Sequence, residues 1–307
     1  MYYNVENKDS YRIVKAHYQS LEDQLRHIET APTNERVFSG RLSSMDDGSR
    51  FSQSDSLEEA IEICRYGYRE NLQTFLSLKR EIVAQLPTVV NLLGTVPSVY
   101  GDYVNIPAFL SGDPECMEEV EPEAEFKRIK VYFNCSYSGS TGAAKIFNRG
   151  ILVIALMEAL QNLGYFVDLE FFEMSSVNDE VFYSSVNLKR NGNSIDVPSA
   201  YAMLVHPCYL RRILFRAMEV APDLRMGWSG GYGNIMKYDT QKKLILPKGE
   251  NSIFIGTPSD MGITVDLVSS AKNFLQKIGF SDLIDINSKS DIIMPIQSNF
   301  KSQILKK

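Results

Sequence analysis

The sequence predicts an α/β protein built on an open, mostly parallel sheet with helices on both faces. Short apolar or alternating runs, which are typical of strands, lie at residues 129–133, 166–172, 181–188 and 252–255. A long apolar helical pattern over residues 143–163 separates the first two runs. A strand, a helix and a strand in this order form a right-handed crossover, so the two strands are expected to be parallel. Further helical patterns at 198–205, 207–220 and 265–278 extend the same arrangement.

Composition narrows the class of protein. Of 307 residues, 44% are hydrophobic and 23% are charged, which is typical of globular chains and excludes wholesale disorder. The net charge of -6 argues against a nucleic-acid partner, because a surface that binds phosphate backbones is basic. The densest apolar run, residues 151–157, is far shorter than the roughly 20 residues of a membrane-spanning helix. We therefore expect no membrane partner.

The cysteines and the N-terminus indicate the compartment. Cys64, Cys116, Cys135 and Cys208 lie far apart, and none belongs to a Cys-x-x-Cys pair. With three histidines in the chain, a structural zinc site is not expected. The first nine residues are polar and acidic rather than a secretory leader. These features predict reduced thiols and a cytoplasmic location, which is the host cytoplasm for a viral protein.

The first part of the chain, residues 1–114, is predicted to be a smaller, mainly helical region. A charged stretch with apolar residues at helical spacing predicts a helix over residues 11–30. A long polar loop follows over residues 33–55. Ser56-Leu57-Glu58-Glu59 then fits a capping box, which predicts a helix from this point. Another helix is predicted over residues 69–85, before Pro87.

An acidic stretch separates this region from the rest of the chain. Glutamates are dense over residues 115–126, where they repel one another and form no apolar face. We interpret this stretch as a solvated linker, with a docking segment for a basic partner as the alternative. The chain is thereby divided into the helical region, the linker and an α/β domain over residues 127–307.

Two polar loops follow predicted strands and carry the candidate metal site. They cover residues 134–142 and 256–262. In open parallel sheets, ligands bind beyond the carboxyl ends of the strands. Oxygen-bearing side chains suit a hard cation such as Mg²⁺. The candidate ligands are Asn134, Ser136, Ser138 and Asp260.

The first of these loops resembles a known motif. Asn134-Cys135-Ser136-Tyr137-Ser138 is similar to the Asp-x-Ser-x-Ser motif of von Willebrand factor A domains, with Asn in place of the first Asp. Asp260-Met261-Gly262 resembles the later loop of that family. Over residues 127–280 the resemblance implies an adhesion-type fold and a degenerate metal site that binds Mg²⁺ weakly. The alternative is that Asn134, Ser136 and Ser138 only satisfy loop amides and cap the following helix.

The same region suggests a phosphate site as a second possibility. Gly139 to Lys145 follows a strand and opens a helix, where backbone amides and the positive helix end can hold an anion. Gly139, Gly142 and Lys145 are the candidate residues. The segment departs from a Walker loop, because Lys145 lies three residues after Gly142 and is followed by Ile146.

Aromatic and basic residues near the middle of the α/β part are further candidates. Trp228 and Tyr232 lie in a glycine-rich loop and could anchor a partner, or pack on the core. Arg211, Arg212 and Arg216 fall on overlapping helical faces. We interpret them as a solvated face, with a phosphate contact as the alternative.

Several segments of the chain also resemble an uncharacterised family of tailed bacteriophages and mobile elements. This resemblance implies a viral origin and a partner that is a virion component or a host factor. The segments are Ser56–Ala60 with Gly67–Tyr68, Ile106–Pro114, Asn148–Gly150 and Trp228–Gly233.

Two functional hypotheses follow from these observations. The first is a non-enzymatic module that binds another protein through the loops at the carboxyl edge of the sheet. It needs no catalytic residue and no cofactor beyond a weakly bound Mg²⁺. The second is a nucleotide- or phosphoester-handling enzyme that uses the loop from Gly139 to Lys145.

Overall fold

A computed structural model describes residues 2–35, 43–45, 52–84, 95–101, 103–120, 128–162, 165–189, 197–225, 232–247 and 252–278. The strands are β1 Tyr2–Lys8, β2 Tyr11–Tyr18, β3 Thr95–Ser98, β4 Tyr103–Val104, β5 Met117–Val120, β6 Arg128–Asn134, β7 Phe166–Val177, β8 Glu180–Lys189, β9 Asn234–Ile235 and β10 Ser252–Ile255. The helices are α1 Leu21–Thr30, α2 Leu57–Tyr66, α3 Leu72–Val83, α4 Ile106–Ser111, α5 Ala143–Asn162, α6 Val197–Val205, α7 Phe215–Glu219, α8 Tyr238–Ile245 and α9 Leu267–Ile278. A π-helical segment, Tyr209–Leu214, runs directly into α7.

A mixed seven-stranded sheet carries the fold. Its order is β1-β2-β8-β7-β6-β10, and β9 pairs with β7 outside this path. β6 is parallel to both β7 and β10, as the crossover through α5 predicts, and β2 is parallel to β8. The β1–β2, β7–β8 and β7–β9 pairs are antiparallel. The α/β class is therefore confirmed, but the expected mostly parallel sheet is corrected to a mixed one.

The tight turn between β7 and β8 explains this correction. Only Asn178 and Asp179 separate the two strands, and so short a connection can join antiparallel strands only. Asn178 has a positive φ of 54°, in the left-handed region that asparagine tolerates better than most residues. A crossover helix, which parallel strands require, has no room here.

The N-terminal segment contributes strands where a helix was expected. Residues 11–18 form β2, and only the later part of the predicted helix, α1, is helical. β2 lies between β1 and β8, so both of its edges are hydrogen-bonded within the sheet. This pairing overrides the weak helical spacing of the segment. The helix itself begins at Leu21, and the Ser20 hydroxyl caps it by accepting a bond from the Asp23 amide at 3.1 Å.

One face of the sheet and the helices enclose the main core. This core contains buried residues of α1, α2 and α3 together with those of α5, α6 and α9. Phe75 of α3, for example, has its ring centroid 4.5 Å from that of Tyr201 in α6 and 6.0 Å from that of Phe147 in α5. The region predicted as N-terminal and helical thus shares a core with the strands that follow it.

A smaller apolar cluster lies on the other face of the sheet, beneath α8. It includes Tyr132, Phe172 and Phe254 from three neighbouring strands, with Leu244 from α8. The edge of the sheet near β6, β7 and β10 is therefore covered on both faces. This arrangement buries the ends of these strands, where the polar loops begin.

Residues 95–120 form a small antiparallel sheet in the order β3-β5-β4, with α4 after β4. β5 lies within the stretch that was predicted to be an acidic linker, whereas residues 121–127 of that stretch fall outside the described residues.

Among the described helices, none combines the length and the apolar character needed to cross a bilayer.

Candidate functional site

The two polar loops of the predicted metal site begin side by side. β6 and β10 are parallel neighbours, and Phe133 is in register with Ile255 at their carboxyl ends. Arg149 of α5 connects the two ends, because its Nη1 donates to the carbonyl oxygens of Asn134 at 2.9 Å and Gly256 at 3.0 Å. Its guanidinium also lies 4.5 Å from the centroid of the Phe133 ring.

Asn134 is bonded within the protein at both ends of its amide. It is fully buried, and its Nδ2 donates to Oε1 of Gln241 at 2.6 Å. Its Oδ1 accepts a bond from the Ser136 amide at 2.7 Å. The Ser136 hydroxyl in turn accepts a bond from the Met174 amide at 3.3 Å. These contacts fit the alternative that both side chains organise the loop.

The remaining candidate metal ligands are also engaged locally. Ser138 is exposed, and its Oγ lies 3.0 Å from the Oγ of Ser140. The Asp260 carboxylate accepts bonds from the amide of Thr257 at 3.0 Å and from its hydroxyl at 2.7 Å. Within the described ranges, no three or more His, Cys, Asp or Glu side chains are grouped so that they could hold a metal ion. Weak Mg²⁺ binding by these four residues stays a prediction.

The predicted phosphate loop uses two of its own amides internally. The Thr141 amide donates to the carbonyl oxygen of Ser138 at 2.9 Å, and the Ser140 amide donates to the hydroxyl of Ser138 at 3.3 Å. Lys145 is exposed on the first turn of α5. Gly139 accepts a bond from Arg211 Nη2 at 3.2 Å, and no atom lies within 4 Å of a Cβ placed on Gly142. Phosphate binding here also stays a prediction.

A cleft of about 340 Å³ opens where β6 leaves β7 and β9 takes its place; we call it the edge cleft. β6 pairs with β7 as far as Phe172, and β9 pairs with it from Ser175 onward. Glu173 and Met174 therefore face a gap in the strand pairing. The edge cleft is lined by Ser136, Tyr137, Ser138, Gly139, Glu173, Ser175, Leu210, Arg211, Phe215, Tyr232, Gly233, Asn234 and Ile235.

Glu173 is a functional candidate that the sequence analysis missed. Its side chain is 2% exposed, and its Oε1 accepts a bond from the Ser175 hydroxyl at 3.3 Å. Its Oε2 has no hydrogen-bond partner among the residues that the structure describes. Burial raises the pKa of Glu173 to about 8. The alternation along β7 indicates this residue, because Glu173 occupies the next core-facing position after Val167, Leu169 and Phe171.

The three arginines predicted to form a solvated face are buried instead. Arg212 donates to the hydroxyls of Ser52 and Ser54 at 3.1 and 2.7 Å, and Arg216 donates to the carbonyl oxygen of Ile28 at 3.3 Å. They are buried because the π-helical segment and α7 pack against the N-terminal part of the chain, which supplies these oxygen atoms. Burial of Arg211 lowers its pKa. π-Helical geometry is often found next to functional sites.

Of the two aromatic residues proposed as partner anchors, the structure describes one. Tyr232 lines the edge cleft, stacks on Phe215 with ring centroids 3.9 Å apart, and donates its hydroxyl to the Glu219 carboxylate. It is therefore both packed on the core and present at the cleft. Trp228 lies outside the described residues.

These features define a mixed α/β protein with a polar cleft at the carboxyl edge of its sheet. The chain belongs to the family described as Domain of unknown function (DUF7192), whose model matches residues 4–282. The match begins within β1 and extends beyond α9, so it includes the edge cleft and all of the sheet except the first two residues of β1. No curated protein and no solved structure matches the chain.

Proposed function

We propose that this protein is a non-enzymatic interaction module that binds one side chain of a partner protein in the edge cleft. The observation that carries the proposal is the cleft itself, which has about 340 Å³ of space at the break between β6 and β9. This volume is near the lower end for ligand pockets, so it suits a single side chain. A buried carboxyl group, hydroxyl groups and aromatic rings line it.

The surroundings of the edge cleft support access by a macromolecule. Ser138 and Gly139 on one side and Asn234 and Ile235 on the other are exposed. The resemblance to von Willebrand factor A domains is consistent with contact at this edge of the sheet. The resemblance to bacteriophage proteins would make the partner a virion component or a host factor in the cytoplasm.

The alternative function, a nucleotide- or phosphoester-handling enzyme, has weaker support. Lys145 is exposed, and the amides of Ser140 and Thr141 already bond to Ser138. Calorimetric titration with MgATP and MnATP tests it directly. Tight binding that is lost in Lys145→Ala would favour the enzyme over the interaction module.

The interaction module is tested by selecting, from a displayed random peptide library, the peptides that bind this protein. Asn234→Trp should block the edge cleft, because Asn234 is exposed and lines it. Val265→Trp is the matched control, since Val265 is 56% exposed and does not line the cleft. We expect enriched peptides to bind the unmodified protein and the control, and to lose at least tenfold in affinity for Asn234→Trp. Equal binding to all three proteins, or no enrichment, would contradict the proposal.

A further inference from the structure

We propose that the edge cleft is a primary-ammonium site, in which Oε2 of Glu173 receives the ammonium group of a lysine side chain from the partner. This inference rests on the proposed function and specifies which side chain the cleft binds. It makes Glu173 the residue that determines specificity.

The first step of the argument is the state of Glu173. It lies on the core-facing side of β7, beyond the last residue that pairs with β6, and it lines the cleft. One carboxyl oxygen accepts a bond from the Ser175 hydroxyl, and the other has no partner in the described part of the chain. A buried polar atom without a partner costs free energy unless a ligand or a water molecule satisfies it. The cleft provides the space for such a ligand.

The contacts of this carboxyl group favour an ammonium group over other cations. Ser175 already donates to Oε1, so the usual pair of parallel bonds from a guanidinium group would have to share this oxygen with the serine hydroxyl. A divalent metal ion would need further acidic or histidine ligands, and no such group of three is present in the described part of the chain. An ammonium group is a compact charge that can donate to one carboxylate oxygen and to nearby hydroxyl oxygens.

The other residues that line the edge cleft suit a lysine side chain. Leu210, Phe215 and Tyr232 provide apolar surface for the four-carbon stem. The hydroxyl groups of Ser136 and Ser175 line the same cleft. Tyrosine rings also attract cations through their faces.

Arg211 is the one cation among the described residues that line the cleft, and it opposes a second positive charge. Its Nη2 donates to the carbonyl oxygen of Gly139, and its guanidinium lies 5.3 Å from the centroid of the Tyr137 ring. These contacts hold the Arg211 side chain against the loop that follows β6. Binding of a carboxylate to Arg211 is therefore the competing outcome that the experiment must separate from binding of an ammonium group to Glu173.

The titratable groups around Glu173 set the expected pH dependence. Cys135, directly after β6, and Tyr209 of the π-helical segment interact electrostatically with Glu173, and burial raises the pKa of each. Both stay neutral from pH 6 to 8, as does Tyr137, whose pKa burial also raises. Arg211 stays cationic over this range. The protonation of Glu173 is therefore the one expected to change with pH here.

The test is calorimetric titration of the full chain with Nα-acetyl-lysine methylamide at pH 6, 7 and 8. Nα-acetyl-norleucine methylamide, n-butylammonium and butyrate serve as separate probes. We expect the lysine probe and n-butylammonium to bind, with affinity that rises about tenfold per pH unit as Glu173 ionises. The norleucine probe and butyrate should not bind. Binding at pH 7 should release a proton, which is seen as a heat that depends on the buffer.

Glu173→Gln supplies the decisive variant, because it keeps the shape and the acceptor for Ser175 but removes the charge. We expect it to lose at least tenfold in affinity and to lose the pH dependence. Glu58→Gln, at an exposed position on α2, is the matched control and should bind as the unmodified protein does. Binding of butyrate alone, or unchanged affinity in Glu173→Gln, would overturn the inference. Library peptides that bind the edge cleft without lysine would overturn it while leaving the proposed function intact.

Discussion

At the scale of single residues, three of the buried polar side chains at the carboxyl edge of the sheet have different roles. Asn134 is bonded at both ends of its amide and organises the loop after β6. Arg149 bonds the last carbonyl oxygens of two strands, and burial lowers its pKa to about 10. Glu173 has a buried oxygen that lacks a partner among the described residues, and its location in a cleft makes it the functional candidate.

The contacts of Asn134 predict that restoring the aspartate of the adhesion motif will destabilise this protein. In Asn134→Asp, a carboxylate oxygen would replace Nδ2 and face Oε1 of Gln241 without a hydrogen atom between them. We expect a loss of about 3 kcal/mol at neutral pH, and a smaller loss near pH 4, where a protonated carboxyl group can donate. Urea unfolding measures both. Asn4→Asp, at an exposed position, is the control. Stabilisation by Mg²⁺ in Asn134→Asp would instead support the predicted metal site.

Glu173 should also make stability depend on pH. Its pKa is about 8 in the folded chain against an ordinary value of 4.5, so the folded state keeps a proton that the unfolded state releases. Stability should therefore fall as pH rises from about 5 to 8, by up to about 1.4 kcal/mol per unit. Glu173→Gln should remove this fall.

His206 acts in the opposite direction, because burial lowers its pKa to about 4 and stability rises with pH up to about 6.5. The contribution of His206 is the same in the unmodified protein and in Glu173→Gln. It therefore cancels in the difference between their urea unfolding curves. A pH profile that Glu173→Gln leaves unchanged would contradict the assignment.

At the scale of secondary-structure elements, three successive residues of α5 connect it to three other parts of the fold. Asn148 donates to the carbonyl oxygens of Thr264 and Val265 at 3.1 and 3.2 Å, just before α9. Arg149 bonds the ends of β6 and β10. Gly150 lets α5 approach α6 closely. α5 therefore positions the carboxyl edge of the sheet as well as filling the core.

The close contact at Gly150 predicts that a methyl group there is harmful, although alanine favours helices. A Cβ on Gly150 would lie 2.7 Å from Cγ1 of Val205 and 3.2 Å from Cβ of Leu204. Val205 is buried and branched, so the two helices would have to separate. We expect Gly150→Ala to lower stability by about 1–3 kcal/mol, measured by urea unfolding. Gly142→Ala, where nothing lies within 4 Å, should change it by only a few tenths of a kcal/mol.

At the scale of the whole molecule, segments far apart in sequence share one core. Ile28 of α1 and Val167 of β7 belong to the same buried cluster, although an acidic stretch separates them in the chain. β2 also pairs directly with β8, which joins the N-terminal hairpin to the later strands.

This shared core predicts a single cooperative unfolding transition. Ile28→Ala and Val167→Ala should each shift the same transition to lower temperature, because each removes buried methyl groups at a cost of about 2–4 kcal/mol. Calorimetry, together with circular dichroism in the near and far ultraviolet, measures the shift. If Ile28→Ala instead split the transition in two, the N-terminal region would fold as a domain of its own.

Much of the architecture of the later half follows from the sequence. The apolar run of α5 predicts its helix closely, and the alternating run over residues 166–172 predicts the first part of β7, which continues to Val177. The parallel pairing of β6 and β7 follows from the helix between them. Residues 11–18 were predicted wrongly because their strand depends on pairing with β8, which lies far away in the chain.

For the candidate site too, the sequence indicated some of the residues and only the tertiary structure revealed the others. The sequence alone determined that polar loops follow β6 and β10, and that Ser136, Ser138 and Tyr232 lie in loops or near them. Only the tertiary structure decided that Glu173 and Arg211 line one cleft with these residues and that the arginines are buried. The physical reason is that burial and an unpaired oxygen depend on which distant segments surround a side chain. Local periodicity contains no information about those neighbours.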